Sequence, residues 1–210
     1  MPGRRMKVGH CAVQWQQTSQ LRPVMSGVIV YLTYPSVPRR THKVTSTKCV
    51  VGLIADTHGL LRPEVPQAFA GVDLIVHAGD VGGSAVLRGL AAIARVEAVY
   101  GNVDDPDDPM LAAERTIPVG GLTLHVSHGH ELGRPTPERM LARYAGDILV
   151  FGHTHRAIVV RDGSDRLVIN PGAAGPKRFD VQPSVARLTV TSGIADVEII
   201  LLGSLENYRL

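Results

Sequence analysis

Cysteine is scarce in this chain of 210 residues, and Cys11 and Cys49 lie far apart, Cys49 in a run expected to form a central strand. That excludes a disulfide framework and suits a reduced, cytoplasmic setting. Apolar runs fall far below the ~20 residues that a membrane span needs, and no secretory hydrophobic core is present, so no membrane partner is expected. Internal sequence repeats are also missing. Asp and Glu are absent from residues 1–47, where Arg4, Arg5, Lys7, Arg22, Arg39, Arg40 and Lys43 stand unopposed. The remaining chain therefore carries fifteen basic against nineteen acidic groups, and the overall charge of +3 is no argument for a polyanion-binding face. Nucleic acid is not expected as a stable partner.

Residues 1–47 differ in kind from the rest. They mix Gln14, Gln16, Gln17 and Gln20 with prolines and threonines, and one short β-like stretch, Val28 to Leu32, interrupts them. An Arg-rich, acid-free leader suggests a transit peptide, but no amphipathic helix accompanies it. At 44% hydrophobic content, the chain can bury one sizeable core, which residues 48–210 are expected to form as a single domain.

What is present within that domain is a series of metal-ligand clusters at near-regular intervals. Asp56-Thr57-His58, Gly79-Asp80, Gly101-Asn102, His128-Gly129 and Gly152-His153-Thr154-His155 follow one another, with 24, 22, 26 and 25 residues from Asp56 to Asp80, Asn102, His128 and His153. These intervals approach the ~30 residues of a strand-helix-strand unit. Each cluster follows an apolar, β-rich run: Cys49 to Ala55, Leu74 to Val76, Val96 to Tyr100, Leu122 to Ser127 and Ile148 to Phe151. The ligands are thus predicted at strand ends, where loops distant in sequence converge in α/β folds.

The donor types define the chemistry. Carboxylate, imidazole and amide oxygen, with no thiolate, suit borderline or hard divalent ions and leave manganese, iron, nickel and zinc open. Seven donors exceed what one tetrahedral ion takes, but they serve two ions if one carboxylate bridges them. Asp80, in the middle of the order, is the bridge candidate. A lone D-x-H or G-D more often marks a turn or helix cap; all five in order, each after a strand, favour a metal centre.

With these motifs, the chain resembles the calcineurin-like metallophosphoesterases over residues 48 to 210, and more closely their small bacterial and archaeal phosphodiesterase branch. The family pattern D-x-H, G-D, G-N, H and G-H-x-H is complete here, and the Asn170-Pro171-Gly172 turn is typical of the branch. The resemblance implies one ion held by Asp56, His58, Asp80 and His155 and another by Asp80, Asn102, His128 and His153. It implies two divalent transition-metal ions, manganese ranked first, a small phosphodiester substrate, a metal-bridging hydroxide as nucleophile, and catalytic roles for Asp80, Asn102 and His128. It also implies an α/β/β/α sandwich of two sheets. Because the family's first strand begins almost at its initiator, residues 1–47 are expected to be poorly ordered or to reflect an upstream start, with Val44 as an alternative codon.

One position departs from many family members, which carry histidine after the G-N asparagine. Here it is Val103, which cannot donate a proton, so leaving-group expulsion must rely on the metal, on water or on a group such as His130. The phosphodiesterase branch commonly lacks this histidine too. His130 and His77 each read equally as a substrate-contacting or ligand-supporting group and as a histidine packing its loop. His125 lies an odd number of residues from His128 and should face the other side as a structural residue; His10 and His42 are expected to face solvent. Asp104, Asp105, Asp107 and Asp108 read as a solvated loop, or else as a barrier to highly anionic substrates. The competing function is a protein-binding scaffold of the same fold, as in the retromer's phosphoesterase-like subunit; a nuclease of the superfamily would usually add a DNA-binding segment.

Local signals predict a helix from Ser84, as N-cap, to about Ile93, and another from Thr136-Pro137 to near Gly146. Gly120-Gly121 predicts a tight hairpin. Strands near 166–169, 184–191 and 194–202 are expected to complete the second sheet.

Overall fold

The computed structural model describes residues 48–177 and 181–203; the expectations for residues 1–47, including His10, Cys11 and His42, lie outside them. Strand β1 (Lys48–Ile54) is central in the first sheet. It is flanked by β2 (Leu74–Ala78) and then β3 (Arg95–Val99), all parallel. From Val50 onward β1 is buried on both faces, which is why it reads as a continuous apolar run rather than an alternating one. Val51, Leu53 and Ala55 enter the core between the sheets, while Val50 and Ile54 pack beneath the helices α1 (Val65–Ala68) and α2 (Ser84–Ala91). Period-two alternation thus serves two cores at once.

The second sheet runs β4 (Glu114–Val119), β5 (Leu122–Ser127), β6 (Ile148–Val150), β8 (Leu167–Asn170) and β7 (Ile158–Arg161) in spatial order, with β5, β6 and β8 parallel. Leu124, Val126, Ile148, Val150, Leu167 and Ile169 face the first sheet, whereas Leu149, Phe151 and Val168 pack against Met140 and Tyr144 beside α3 (Pro137–Arg143). Helix, sheet, sheet and helix form the expected four layers.

Strands β9 (Ser184–Thr191) and β10 (Ile194–Leu201) correct the prediction. They join the first sheet, antiparallel, with β9 on the free edge of β1 in the register Val51↔Leu188. The β7–β8 hairpin already closes the second sheet, and β9 turns Ala186, Leu188 and Val190 into the core between the sheets, while Val185 packs beneath the helices and Arg187 donates to the carbonyls of Ala68 and Ala70. The Asn102-to-His128 interval is likewise no strand-helix-strand unit. It holds a loop and the β4–β5 hairpin, whose Gly120 and Gly121 have φ of 56° and 90°, as a two-residue turn with both centres left-handed requires.

Helix ends differ in detail. Gly83 is the N-cap of α2, and Ser84 begins the helix proper, its hydroxyl accepting from Arg88 Nη1 at 2.8 Å. The helix ends at Ala91, and the chain continues to Ile93 only as a closing turn on Leu90. Thr136 does cap α3, accepting from the Arg139 amide. That helix stops at Arg143, short of Gly146, because Tyr144 turns extended and Arg166 takes up the released carbonyls of Leu141, Tyr144 and Gly146.

Candidate metal centre

All five clusters emerge at the C-terminal ends of parallel strands, after β1, β2, β3, β5 and β6. The loops are joined to one another by backbone hydrogen bonds: Asp56 N–H donates to Gly79 O at 3.0 Å, His58 N–H to Asp80 O at 2.9 Å, and Gly152 N–H to His128 O at 3.1 Å. Glycine precedes three of the clusters for a steric reason. A Cβ on Gly101 would lie 2.0 Å from Asp80 Oδ1, and one on Gly79 would lie 2.6 Å from His128 Nδ1. Only glycine lets these loops close on the ligands.

Asp56, His58, Asp80 and His155 each offer a donor atom within 4.8 Å of the others. His58 Nε2 and His155 Nε2 approach to 3.3 Å, and His155 Nε2 lies 3.3 Å from Asp56 Oδ1. Among the described residues, Asp56 Oδ2 is buried with no hydrogen-bond partner, an arrangement costly for a carboxylate oxygen without a cation. Ligand distances of about 2.0–2.2 Å put opposite donors roughly 4.4 Å apart, so this group fits a divalent ion with slight contraction.

Asn102, His128 and His153 gather beside it. Asn102 Oδ1 is 3.2 Å from His128 Nε2 and 2.9 Å from His153 Nδ1. His128 Nδ1–H donates to Ala78 O at 2.8 Å, which fixes the tautomer that leaves Nε2 with its lone pair toward the site. Asp80 stands between the two groups, with Oδ1 at 3.4 Å from His128 Nε2 and Oδ2 at 3.8 Å from His58 Nε2. Burial opposes ionisation of Asp80, but the hydrogen bond and charge of His128, the Val103 amide and His58 outweigh it and hold the carboxyl at about 2. Burial likewise disfavours a charged His128, yet Asp80, Asp56 and the Ala78 carbonyl raise its affinity for a proton. Two carboxylates in this cavity attract positive charge of any kind.

The backbone carries the same signature. Seven non-glycine residues among those described have φ in the left-handed region, and five of them are Asp56, His58, Asp80, His153 and His155. Such conformations persist where surrounding structure imposes them, and they cluster at functional sites. Thr57 sits between two of them, its hydroxyl donating to Val81 O at 2.9 Å and pairing with His77 Nε2 at 2.9 Å. His77 is fully buried and cannot meet substrate; burial lowers it to about 4, so it stays neutral. It supports the Asp56-to-His58 loop. His125 is structural, as its position implied, and stacks on Tyr144 at 4.3 Å. His130 is half-buried, with its ring centre 5.4 Å from that of His128, and its Nδ1 lies 3.6 Å from Glu131 Oε2. The Glu131 carboxylate accepts from Ser127 and Tyr144.

Two supporting residues escaped the sequence reading. Asp104, counted there among solvated loop acids, accepts from the amides of Val81, Gly82 and Gly101 at 3.0, 2.8 and 2.9 Å, tying the Asp80 loop to the Asn102 loop. Asn170 is buried, donating to Gly152 O at 2.7 Å and Thr154 Oγ1 at 3.0 Å while accepting from Gly172 N–H. The G-N-x-D spacing around Asp104 carries no periodic signal, and only the N-P-G turn hinted at Asn170. Above the donors opens a cavity of about 510 Å³, lined by His58, Asp80, Asn102, Val103, His155 and Arg156 among others. Among the described residues, no helix is long and apolar enough to cross a membrane.

Comparison with known proteins agrees with this geometry. Residues 50–193 match the model of the calcineurin-like phosphoesterase superfamily domain. A probable metallophosphoesterase of Methanothermobacter thermautotrophicus is 33% identical over 165 residues, covering 74% of this chain and 94% of that relative. Among solved structures, vacuolar protein sorting 29 from Cryptosporidium parvum superimposes with a TM-score of 0.62 at 22% identity, over 73% of this chain and 97% of that one. Wild-type vacuolar protein sorting 29 from Entamoeba histolytica, complexed with zinc, gives 0.57 at 25% identity, over 72% and 98%. The strand-end clusters, their meeting point and the length of the match have one reading: the chain belongs to the calcineurin-like phosphoesterase superfamily.

Proposed function

We propose that the chain hydrolyses phosphodiesters at a binuclear metal centre, with Asp56, His58, Asp80 and His155 holding one ion and Asp80, Asn102, His128 and His153 the other. The observation that carries this reading is Asp80, whose two oxygens face histidines of different donor groups. Divalent ions held there, manganese ranked first and iron, nickel or zinc as alternatives, supply water acidified to a pKa of about 7 and positive charge for the phosphoryl oxygens. Asp80 fixes the spacing of the two donor groups. Asn102 and His128 orient the second group toward the cavity, with His128 locked by Ala78 O. Val103 is 55% exposed and lines the cavity, where it offers the departing oxygen no proton.

A purified-protein screen across phosphomonoesters, aryl phosphodiesters, cyclic nucleotides and DNA, with each metal in turn, tests the proposal. Aryl diesters are expected to turn over fastest, and a protein inactive on all three diester classes with every metal would overturn it. The likeness to vacuolar protein sorting 29 favours a second reading, a protein-binding module with little catalysis. An intact donor set argues for chemistry first.

A further inference from the structure

Beside the metal-site cavity lies a second one of about 370 Å³, within the roughly 300–1,000 Å³ of ordinary ligand pockets. The two share a wall made of His153, Thr154 and Arg156, while His58, Asp80, Asn102 and Val103 border only the first. The second cavity is therefore lateral to the donors rather than above them. Its floor is apolar, built from Pro135, Pro137, Phe151 and Ile158, and Arg134 and Arg156 are exposed at its edge. Neither guanidinium makes a hydrogen bond or ion pair through its side chain among the described residues.

The opposite flank has different chemistry. Past Val103, the first cavity leads to a smaller one of about 280 Å³ bordered by Asp104, Asp105 and Asp108. An anionic ester is repelled on that flank and attracted on the arginine flank. In an in-line displacement the departing group leaves along the axis of attack, so the group that stays on phosphorus projects sideways.

We infer that the cavity bounded by Arg134, Pro135, Pro137, Ile158 and Arg156 binds the retained arm of the substrate, and that this arm is a ring-bearing group such as an aryl or nucleoside moiety. The inference rests on the phosphodiesterase reading and specifies its substrate class. A flat ring suits this cavity better than an alkyl chain. Proline and isoleucine faces bury its apolar area, and a planar guanidinium stacks on a ring where a lysine ammonium does not. Arg156, on the shared wall, reaches the phosphoryl end of the same arm.

The test holds the leaving group constant. Fully metal-loaded protein is assayed with 4-nitrophenyl phenyl phosphate and 4-nitrophenyl methyl phosphate, and kcat/KM is expected to favour the phenyl diester by about tenfold or more. The ratio should fall toward one in Arg134→Ala, an exposed position outside both donor groups, and in Ile158→Ser. Calorimetric binding of diphenyl phosphate to metal-free protein gives a readout independent of turnover, and it should weaken in Arg134→Ala. Equal kcat/KM for the two diesters overturns the inference and leaves the phosphodiesterase reading standing. Diphenyl phosphate binding that is unchanged in Arg134→Ala overturns it as well. Hydrolysis of neither diester with any metal, together with no turnover of cyclic nucleotides or DNA, overturns the function itself.

Discussion

The two donor groups of the proposed metal centre are built unequally. Asp56, His58, Asp80 and His155 bring two carboxylates and two imidazoles, and all four residues are held at positive φ. Asn102, His128 and His153 bring no carboxylate of their own, and only His153 is at positive φ. The first group is anionic and tightly constrained; the second is neutral and borrows its charge from Asp80. For ions with the same ligand preferences, the first half should bind more tightly, since site charge and rigidity set affinity. If two ions bind as proposed, the second group is where ion occupancy should limit activity.

The largest effect should come from erasing that inequality. Asp80→Ala removes a donor from both halves, and turnover at saturating metal should fall by more than the roughly 10–100-fold typical of losing a group that only supports a ligand. Asn102→Ala should cost less, because a neutral donor to one ion is lost. Near-parental turnover in Asp80→Ala would break the comparison.

Val103 sharpens it on the substrate side. Rates over a series of aryl and alkyl diesters should fall steeply as leaving-group pKa rises, and Val103→His should raise the alkyl rates, toward the ~10²–10⁴-fold that general acid help can supply. A flat dependence in the parent, with chemistry shown to be rate-limiting, would mean that another acid already serves.

Metal titration separates the halves directly. Two steps are expected per chain; His155→Ala should weaken the tight step and His153→Ala the loose one, each by more than the roughly 10–100-fold typical of losing a group that only supports a ligand. Stoichiometry that stays at one in carefully loaded parent protein would remove the second half altogether. Smallest is Asp104→Asn, which keeps an oxygen acceptor but weakens the charge-assisted bonds to three amides, worth roughly 1.5–3 kcal/mol each at most. Its melting temperature should drop by a few degrees and the loose metal step should shift more than the tight one. An unchanged loose step would show that the Asn102 loop does not depend on this pin.

Much of the site was legible because its spacing is a property of the chain. Asp56, Asp80, Asn102, His128 and His153 do lie at strand ends, and the apolar runs before them are the strands. The sheet assignment of β9 and β10 was not legible, since local pattern identifies a strand but not the edge it joins. Asp104 was misread for a related reason: its three amide partners sit 23, 22 and 3 residues away, and an acid pinned by such contacts has the same composition around it as one in solvent. Gly83, not Ser84, caps α2 because a glycine at φ of 127° gives the chain an entry angle that serine would resist.

Left-handed backbone at His58, Asp80, His153 and His155 has a consequence for mutational tolerance. An L-residue in that region costs about 1–2 kcal/mol, somewhat less for Asp and His, whereas glycine adopts it freely. Without metal, His155→Gly should therefore melt higher than His155→Ala, because the strain on alanine at positive φ exceeds what the added freedom of the unfolded chain costs glycine. Selection for stability alone would favour glycine at these positions, so in the proposed metal centre each donor retained there is a standing concession of robustness to chemistry.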